Sequence, residues 1–485
     1  MASVRSGFVD ALARISDTCR VIHDATELLT YESDALVHLR QTPLAVVLPE
    51  SAADVQAVVK LCHRERVPFV ARGHGTGLSG GALPVAGGIV IALSRLNRVL
   101  DIDIPNLRIT VEPGVTNLDV TRYVAPFGCY FAPDPSSQRA CSIGGNIAEN
   151  SGGAHCFKYG FTVHHVTGVE FVLPDGELIQ VGGGALDAPG FDLLAAIVGS
   201  EGTLGIVTKA TLRLLRRPEE TLVVLAAFES TDHAGDAVSA LIAKGIVPSA
   251  VEMMDRLTIQ ASEASVHAGF PDAAAVLIVE VDGPRSEVEA LHGAVEDVCR
   301  AARAQSVTVA RTPEDRERIW KGRKAAFAAM GRVSPNYYVQ DGVIPRTTLP
   351  EVLRKIGALE ARSGLRIGNV FHAGDGNLHP LICYDESVPG QAALAEDVAA
   401  EILTYCLDAG GSITGEHGVG ADKAAHMPRM FSPSSIEAMQ LVRTSFDPAG
   451  LCNPGKVFPT PRLCGEVPGP YRQHPIERDG LGERL

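Results

Sequence analysis

The 485-residue sequence predicts an α+β fold that is divided into more than one domain. The length alone suggests about two to four domains, because it exceeds what one hydrophobic core usually organises. Strand-like runs with turn signals dominate the region from 43 to 215, whereas strands alternate with helix-like segments from 221 to 360. The polar stretch RRPEE at 216–220 separates the two regions. This combination is typical of an α+β protein rather than of a repeat or an all-helical fold.

The first 219 residues predict a peripheral helical segment, 1–42, and then a strand-rich domain, 43–219. A helix is expected from Ser51 to Glu65, because Ser51 is a favoured N-cap and apolar residues recur behind it at helical spacing. The turn Pro174-Asp175-Gly176 joins two alternating runs and predicts a hairpin. The strands expected in this domain are 44–48, 67–71, 89–93, 107–114, 168–183 (as two strands) and 205–215.

The rest of the chain predicts a second domain, 220–459, and a tail, 460–485. The runs LVVLAAF and VLIVEVDG indicate strands, and the helix-like segments between them complete an α+β pattern. The tail is rich in proline, glycine and charge, and we expect it to be loosely ordered.

The composition excludes some classes of function. The net charge of −14 argues against general nucleic-acid binding but leaves room for an anionic substrate held by local cations. The sequence contains no apolar run of about 18 residues, so no transmembrane helix is expected. Ten cysteines without a C-x-x-C pair predict reduced, mostly buried thiols of a cytoplasmic protein and no iron–sulfur cluster bound by the usual spacing.

A glycine-rich loop, RGHGTGLSGGALPVAGG at 72–88, contains the formal pattern G-x-G-x-x-G at 75–80. A dinucleotide-binding fingerprint of this kind must open a helix, but here Pro84 and two more glycines lead into a strand. The glycines still let backbone N–H groups approach a ligand closely, and such a nest suits a diphosphate. A mobile surface loop is the alternative.

Two more glycine-rich clusters follow, PDPSSQRACSIGGNIAENSGGAHCFKYG at 133–160 and GSEGTLGIVTKATL at 199–212. In this order and spacing, the three clusters resemble the FAD-binding domain of vanillyl-alcohol-oxidase/PCMH-type flavoproteins over about residues 40–217. The resemblance implies a non-Rossmann FAD domain, in which 72–81 holds the pyrophosphate and 133–153 and 201–207 line the adenosine and isoalloxazine. The setting of His74, RGHGTG, is similar to the branch that binds FAD non-covalently.

Two histidines flank a tight turn in VFHAGDGNLHP, 370–380. A four-residue loop at 374–377 would make His372 and His379 directly opposed hairpin residues about 5 Å apart, close enough to bind one ion. Two buried histidines satisfied by backbone carbonyls are the alternative. In GEHG, Glu416 adds a carboxylate, and two histidines with one carboxylate can bind Zn²⁺, Mn²⁺ or Fe²⁺. Because neighbours on an extended segment point apart, we assign Glu416 to the metal and leave His417 as a base.

The stretches FHAGDGNLHP, GEHG and FDPAGLCNPGK together resemble the FAD-linked oxidase C-terminal α+β cap domain of FAD-linked D-2-hydroxyacid dehydrogenases, and the resemblance to the glycolate-oxidising members is nearly end to end. It implies that His372, His379 and Glu416 bind the metal and that His417 takes the hydroxyl proton. It further implies that Asn377 and Arg323 position the substrate, with Arg323 pairing with the substrate's carboxylate. It also implies that the last part of the second domain, about 420–459, returns to the first domain. The residues implied for FAD binding are Arg72, Gly73, His74, Gly75, Thr76, Gly77, Leu78, Ser79, Pro133, Asp134, Ser137, Gly144, Gly145, Asn146, Ser151, Gly152, Glu201, Gly202, Ile206, Val207, Asn453 and Lys456.

The resemblance implies oxidation of a small 2-hydroxy acid, glycolate to glyoxylate, with D-lactate as the competing substrate. Relatives that act on longer hydroxyacids carry a lysine where Val339 stands here, which favours a substrate without a second carboxylate unless another cation substitutes. The resemblance also implies a complex with an iron–sulfur subunit and a second FAD-binding subunit, through which this protein would lie peripherally at the inner membrane.

Two other classes of function are open from the sequence. A flavin-free metal hydrolase could be built on His372, His379 and Glu416, but it leaves the glycine clusters unexplained. A non-catalytic flavoprotein subunit, kept for assembly or electron relay, would make His417 and Arg323 dispensable. Visible flavin absorbance of the purified protein would exclude the flavin-free hydrolase. Loss of activity on substitution of His417 would exclude the non-catalytic subunit.

Overall fold

The computed structural model describes residues 2–185 and 190–459, with side chains from residue 7 onward, and the predicted tail at 460–485 lies outside the described residues. The N-terminal half begins with a four-stranded sheet in the order β1-β2-β4-β3, in which β2, β4 and β3 run parallel and β1 is antiparallel to β2. Its elements are α1 (Ala2–Leu12), β1 (Arg20–Ile22), α2 (Ala25–Leu28), β2 (Ala45–Leu48), α3 (Ala52–Glu65), β3 (Phe69–Arg72) and β4 (Ile89–Ala92).

Helix α3 confirms the predicted helix at 51–65. The Ser51 side chain accepts a hydrogen bond from the Asp54 N–H at 3.1 Å and caps the helix, and Arg66 ends it in the left-handed conformation. Val55, Val58, Val59 and Cys62 are buried, as their spacing predicted. The capping and the apolar face are both local signals, so the sequence alone was sufficient here.

The N-terminal segment is not purely helical, which corrects the prediction for 1–42. Strand β1 pairs with β2 through Arg20↔Leu48 and Ile22↔Val46, and Ile22 is buried in the small core beneath the sheet. A strand of three residues is too short for alternation to reveal it. Further along, the Ala35 N–H donates to the Gly77 carbonyl at 3.0 Å, so this segment also lies against the glycine-rich loop.

A second sheet of five antiparallel strands, in the order β5-β6-β10-β8-β9, completes the N-terminal half. The predicted hairpin is confirmed as β8–β9, since Val172 pairs with Leu178 and the Gly176 N–H closes the turn on the Leu173 carbonyl at 2.8 Å. The elements are β5 (Val99–Asp103), β6 (Arg108–Val111), α4 (Asn117–Val124), β7 (Cys129–Tyr130), α5 (Ile143–Glu149), α6 (Cys156–Tyr159), β8 (Val166–Val172), β9 (Leu178–Gly182), α7 (Leu193–Ile197), β10 (Ile206–Arg213) and β11 (Leu215–Arg216).

A nine-stranded sheet forms the core of the C-terminal half, in the order β15-β12-β14-β13-β18-β19-β17 with β20 and β16 attached beside β18. Its strands are β12 (Glu220–Phe228), β13 (Ala250–Asp255), β14 (Ala275–Gly283), β15 (Ser306–Ala310), β16 (Asn336–Val339), β17 (Gly342–Val343), β18 (Ile367–His372), β19 (Asn377–Leu378) and β20 (Pro380–Tyr384). Its helices are α8 (Thr231–Ala243), α9 (Arg256–Val266), α10 (Arg285–Ala301), α11 (Pro313–Ala329), α12 (Leu349–Ser363), α13 (Gln391–Asp408), α14 (Met427–Met430) and α15 (Pro433–Phe446).

Both faces of this sheet are covered. Val224 and Phe228 of β12 belong to the core shared with α8, α10, α12 and α13, whereas Val223 and Leu225 belong to the core shared with α9 and α11. Successive side chains of a strand point to opposite faces, so a strand buried on both faces requires a continuous apolar run such as LVVLAAF.

The chain then returns to the N-terminal half. The Phe69 N–H donates to the Leu451 carbonyl at 2.9 Å, and the Asn453 N–H donates to the Phe69 carbonyl at 2.8 Å, which extends the edge of β3. The Asn453 side chain donates to the carbonyls of Gly81 (2.9 Å) and Glu201 (2.8 Å). This segment therefore fixes two of the glycine-rich loops against each other.

Candidate active site

A cavity of about 630 Å³ lies where the two halves meet, and all three glycine-rich segments line it. Its volume falls within the range of small-molecule and cofactor sites, about 300–1,000 Å³. Segment 35–38 and residues from 324 to 339 close it from other sides. The sequence singled out Val339 of the second wall, whereas no motif marked segment 35–38. Sixteen predicted FAD-binding residues line the cavity: Arg72, Gly73, His74, Gly75, Thr76, Gly77, Leu78, Ser137, Gly144, Gly145, Asn146, Ser151, Glu201, Gly202, Ile206 and Val207.

The glycines of this cavity are required by close packing. A Cβ atom at Gly73 would lie 2.3 Å from the Ser142 Oγ, and one at Gly75, whose φ is +72°, would lie 2.1 Å from the Arg72 Nη2. Only residues without side chains can hold the backbone this close to its neighbours. The lining of the cavity by backbone N–H groups and small residues fits a diphosphate-containing cofactor such as FAD.

Six predicted FAD-binding residues do not line the cavity but support its walls. Ser79 is fully buried and its carbonyl accepts from Ala421 N at 3.0 Å, while the Lys456 Nζ donates to the Leu83 carbonyl at 2.9 Å. Their placement follows from chain contacts that are distant in the sequence, so loop composition alone could not separate lining from supporting residues. The other four predicted FAD-binding residues that do not line the cavity are Pro133, Asp134, Gly152 and Asn453.

His372 and His379 are close together, but not through the hairpin register that the sequence predicted. His372, the last residue of β18, pairs with Asn377, and His379 lies between β19 and β20. The chain turns there because Pro380 and the following residues pair with the start of β18, Asn369 opposite Pro380. The imidazole rings nevertheless lie 5.1 Å apart between centroids.

Glu416 completes a cluster of three buried ligand-type side chains with these histidines. Its Oε1 lies 3.3 Å from the Nε2 of His372 and 3.3 Å from the Nε2 of His379. Neither nitrogen of His379 makes a well-aligned hydrogen bond with a described residue, and the Oε2 of Glu416 has no partner either. Buried polar atoms are normally paired. These three residues, which we call the ligand cluster, therefore have the donor set and the unpaired atoms that fit a divalent cation.

His417 stacks on His379, with centroids 4.9 Å apart and an interplanar angle of 12°. Both His417 and Glu416 line the cavity. Burial and the neighbouring His379 lower the pKa of His417 to about 4, although Asp341 opposes the shift. The imidazole is therefore neutral at physiological pH and can accept a proton at the edge of the cavity.

Glu252 lies behind the ligand cluster and was not recognised from the sequence. It is fully buried in β13, and its Oε1 lies 2.7 Å from the Nδ1 of His372. Burial alone would lower the pKa of His372, but Glu252 and Glu416 raise it well above its ordinary value. The contact holds a proton on Nδ1, and Nε2 is directed toward Glu416.

Arg323 also contacts Glu252, through its Nε at 2.7 Å and its Nη2 at 2.5 Å from Oε2. The arginine is 3% exposed and is absent from the cavity lining, where its neighbour Lys324 is found. One edge of the Arg323 guanidinium, which the sequence predicted to bind substrate, is thus occupied by the Glu252 carboxylate. Asn377 is also buried behind the lining, packed against Gly415, with its Oδ1 unpaired among the described residues.

Asp341 organises the loop that carries Glu416 and His417. It accepts from the backbone N–H groups of Gly415 (3.1 Å), Glu416 (3.2 Å) and His417 (2.9 Å), and Lys423 lies 3.2 Å from its Oδ2. Three donors converging on one carboxylate hold this loop in a turn. Glu416 and His417 are therefore not on an extended strand, which was the premise used to separate their roles.

The fold defines the class of protein. A 4-ethylphenol oxidase from Gulosibacter chungangensis superposes with a TM-score of 0.77 at 20% identity, covering 93% of this chain and 97% of that one. A p-cresol methylhydroxylase superposes with a TM-score of 0.79 at 17% identity, covering 94% and 97%. The architecture is that of the vanillyl-alcohol-oxidase/PCMH-type flavoproteins.

Residues 43–182 match the family "FAD binding domain", and residues 217–457 match "FAD linked oxidases, C-terminal domain". The glycolate oxidase subunit GlcD of Escherichia coli is 48% identical over 471 residues, covering 97% of this chain and 94% of that protein. GlcD of Bacillus subtilis is 40% identical, with coverages of 89% and 92%, and a probable mitochondrial D-lactate dehydrogenase of Danio rerio is 32% identical, with coverages of 88% and 86%. The chain belongs to the FAD-linked oxidase family, in the branch that contains the 2-hydroxyacid dehydrogenases and oxidases.

None of the helices at 2–185 and 190–459 is both long and apolar enough to cross a membrane. Nine cysteines in these ranges are buried and unpaired, and Cys464 lies outside the described residues.

Proposed function

We propose that this protein oxidises a small 2-hydroxy acid, with glycolate as the principal substrate and glyoxylate as the product. The observation that carries the proposal is the ligand cluster with His417, which opens onto the cavity whose lining fits FAD. FAD supplies the hydride acceptor of the reaction. A divalent cation held by His372, His379 and Glu416 would supply Lewis-acid chemistry that makes the substrate hydroxyl more acidic.

The protein residues bind and orient the substrate and hold its proton. His417, neutral and on the cavity wall, accepts the hydroxyl proton. Arg323 lies behind the cavity lining with one edge held by Glu252, and its remaining donors would bind the substrate carboxylate by a charge-assisted hydrogen bond. Asn377, behind the loop of Glu416, supports the position of the substrate.

The absence of a lysine at position 339 of the cavity lining favours a monocarboxylate. Val339 lines the cavity beside Tyr337 and offers no charge to a second carboxylate. Lys324 lines the same wall and is the cation that would accept a longer, dicarboxylate substrate, so both acids belong in the test. D-lactate is the second candidate, because a relative at 32% identity is named a D-lactate dehydrogenase.

Anaerobic bleaching of the flavin tests the substrate directly. Glycolate, D-lactate, L-lactate and D-2-hydroxyglutarate are each added to the FAD-loaded protein, and the rate of flavin reduction is measured. We expect glycolate to reduce the flavin fastest, D-lactate next, and the dicarboxylate poorly. Reduction by L-lactate alone would contradict the assignment.

We further propose that the electrons leave through partner subunits, one with an iron–sulfur cluster and one with a second FAD. Two of the relatives are named subunits of glycolate oxidase, which supports a complex. Purification from cells that express this chain with an affinity tag should recover both partners, and reduction of a quinone analogue should require them. A preparation of this chain alone that turns over with a quinone at the same rate would contradict the proposal.

A further inference from the structure

Glu149, the last residue of α5, is a carboxyl group on the cavity wall that the proposed chemistry does not use. Its Oε2 is buried and has no hydrogen-bond partner among the described residues. The carboxyl group is enclosed by two glycines, since a Cβ atom at Gly81 would lie 2.6 Å from its Oε1 and one at Gly418 would lie 2.1 Å from its Oε2. It is therefore located between the first glycine-rich loop and the residue that follows His417.

The surroundings of Glu149 are acidic. The nearby Glu201 is fixed by hydrogen bonds from the N–H groups of Val419 (2.7 Å) and Gly420 (2.6 Å), and its Oε1 lies near the same Gly418 position. Asp34 and Asp341 add negative charge, and Lys423, the nearest cation, is already bonded to Asp341.

Burial, Glu201 and Asp34 together raise the pKa of Glu149 well above its ordinary value, although Lys423 opposes the shift. A carboxylic acid held neutral in this way has one O–H group to donate. Because Glu149 lines the cavity, an acceptor for this O–H group is expected there. Gly418 directly follows the proposed base, which places Glu149 on the side of the cavity where the reacting ring system of FAD would lie.

We propose that Glu149 is a positioning residue for FAD, a neutral carboxylic acid that donates a hydrogen bond to the isoalloxazine ring. The inference rests on the proposed function only in requiring bound FAD. A neutral donor at this place stabilises the negative charge that the ring gains on reduction, whereas a carboxylate would oppose it. No bond is made or broken in this role, and the proton stays on Glu149.

Two substitutions test whether Glu149 acts as a neutral hydrogen-bond donor or as a negative charge. Glu149→Gln keeps an N–H donor of similar size without charge, and Glu149→Leu removes the donor. The readout is the midpoint potential of the bound flavin, measured by equilibration with a redox dye, together with the rate of flavin reduction by substrate. We expect Gln to leave the potential near that of the unsubstituted protein. Leu should lower the potential and slow reduction by about 10- to 100-fold, the size of one hydrogen bond to a charged group.

A clear rise of the potential in Glu149→Gln would mean that the native group is ionised, and an unchanged potential in Glu149→Leu would mean that it makes no bond to the ring. Either result overturns the proposal. If Glu149→Leu does not fold, the infrared spectrum decides, because the C=O band of a protonated carboxyl must be present in the unsubstituted holoprotein and absent in Glu149→Gln.

Glu112→Gln is the matched control, since Glu112 is a buried carboxylate of the same half of the chain, bonded to Arg98 and absent from the cavity lining. It should change neither the potential nor that band. A protein that binds no FAD refutes the proposed function itself. A protein that binds FAD with a potential insensitive to Glu149 refutes only this inference.

Discussion

Two clusters of histidine and carboxylate in this molecule have similar composition and different geometry. In one, which we call the contact cluster, His155 of the N-terminal half lies between Asp134, 2.9 Å from its Nδ1, and Glu280 of β14, 2.9 Å from its Nε2. Trp320 donates a further hydrogen bond to Glu280 at 2.7 Å. Every nitrogen of this histidine has a partner, and the cluster joins the two halves of the chain.

The ligand cluster is the opposite case. Both nitrogens of His379 lack a well-aligned partner, and one oxygen of Glu416 is unpaired. Both clusters pair histidine with carboxylates, so this composition does not identify a binding site. The unpaired atoms do, because a buried polar group without a partner is costly unless a ligand satisfies it.

The largest expected effect is on turnover when the ligand cluster is broken. His379→Ala removes one of three ligand groups, and the loss of metal assistance should lower kcat by about 10³-fold or more, since such assistance is worth several kcal/mol. The FAD content should be unchanged, because His379 does not line the cavity. Steady-state assays with a dye acceptor and the visible flavin spectrum measure the two quantities.

His23→Ala is the control for that experiment, because His23 is exposed and remote from the cavity. It should retain native turnover. If His379→Ala also retains native turnover, the ligand cluster has no catalytic role.

The contact cluster should show the reverse pattern. His155→Leu removes the ring that Asp134 and Glu280 share, although Trp320 still donates to Glu280. Removal of one member of a buried ion pair destabilises proteins by about 3–5 kcal/mol, and the partial exposure of His155 places the expected loss at or below the lower end of that range. We expect a lower thermal unfolding midpoint, while the kcat of the remaining folded, FAD-loaded enzyme stays within a few fold. A folded His155→Leu protein with a large loss of kcat and native thermal stability would reverse the distinction between the clusters.

Glu252 hydrogen-bonds to His372 of the ligand cluster, as Glu280 does to His155 of the contact cluster. Glu252→Gln replaces the acceptor that fixes the Nδ1 proton, and loss of such a supporting partner typically costs 10- to 100-fold in metal affinity. Competition for Zn²⁺ against a chromophoric chelator measures the affinity. Glu280→Gln is the matched control, a buried carboxylate–histidine pair on the neighbouring strand, and it should leave Zn²⁺ affinity unchanged. Equal losses in both variants would indicate a general packing effect.

The sequence predicted those parts of the molecule whose determinants are local. The cap and spacing of α3 and the turn of the β8–β9 hairpin are of this kind, and so are the three glycine-rich segments that meet at the cavity. The register of His372 was wrong because Pro380 pairs with Asn369, a contact that competes with the simple hairpin and leaves no mark in the intervening loop.

The supporting residues could not be predicted for the same reason. Glu252 lies within the apolar strand AVEMMD, 120 residues before His372, and Asp341 lies 75 residues before Glu416. Glu252 belongs to no motif, and Asp341 ends the segment that contains Val339 without any role being indicated for it. Each contact depends on how distant strands and loops are brought together. Lone charged residues inside apolar strands are the signal that could have identified Glu252, because a buried carboxylate requires a partner.

The smallest predicted effect is the pH dependence of the contact cluster. Burial would lower the pKa of His155, but Asp134 and Glu280 raise it well above its ordinary value. Burial would raise the pKa values of these two acids, but His155 lowers both. The raised histidine contributes stability fully below its unfolded pKa of about 6.5 and loses it as pH rises through the folded value. The lowered acids contribute above about pH 4 and lose stability as pH falls through their folded values.

The difference in unfolding free energy between the native protein and His155→Gln should therefore be largest from about pH 4.5 to 6.5 and should shrink on both sides. Between pH 6.5 and the raised pKa of His155, it should fall by about 1.4 kcal/mol per pH unit at most. Urea unfolding of both proteins at about pH 5, 7 and 9 measures this trend. A difference that grows from pH 5 to 9 would mean that His155 is neutral in the folded protein, and its two carboxylates would then need another counterion.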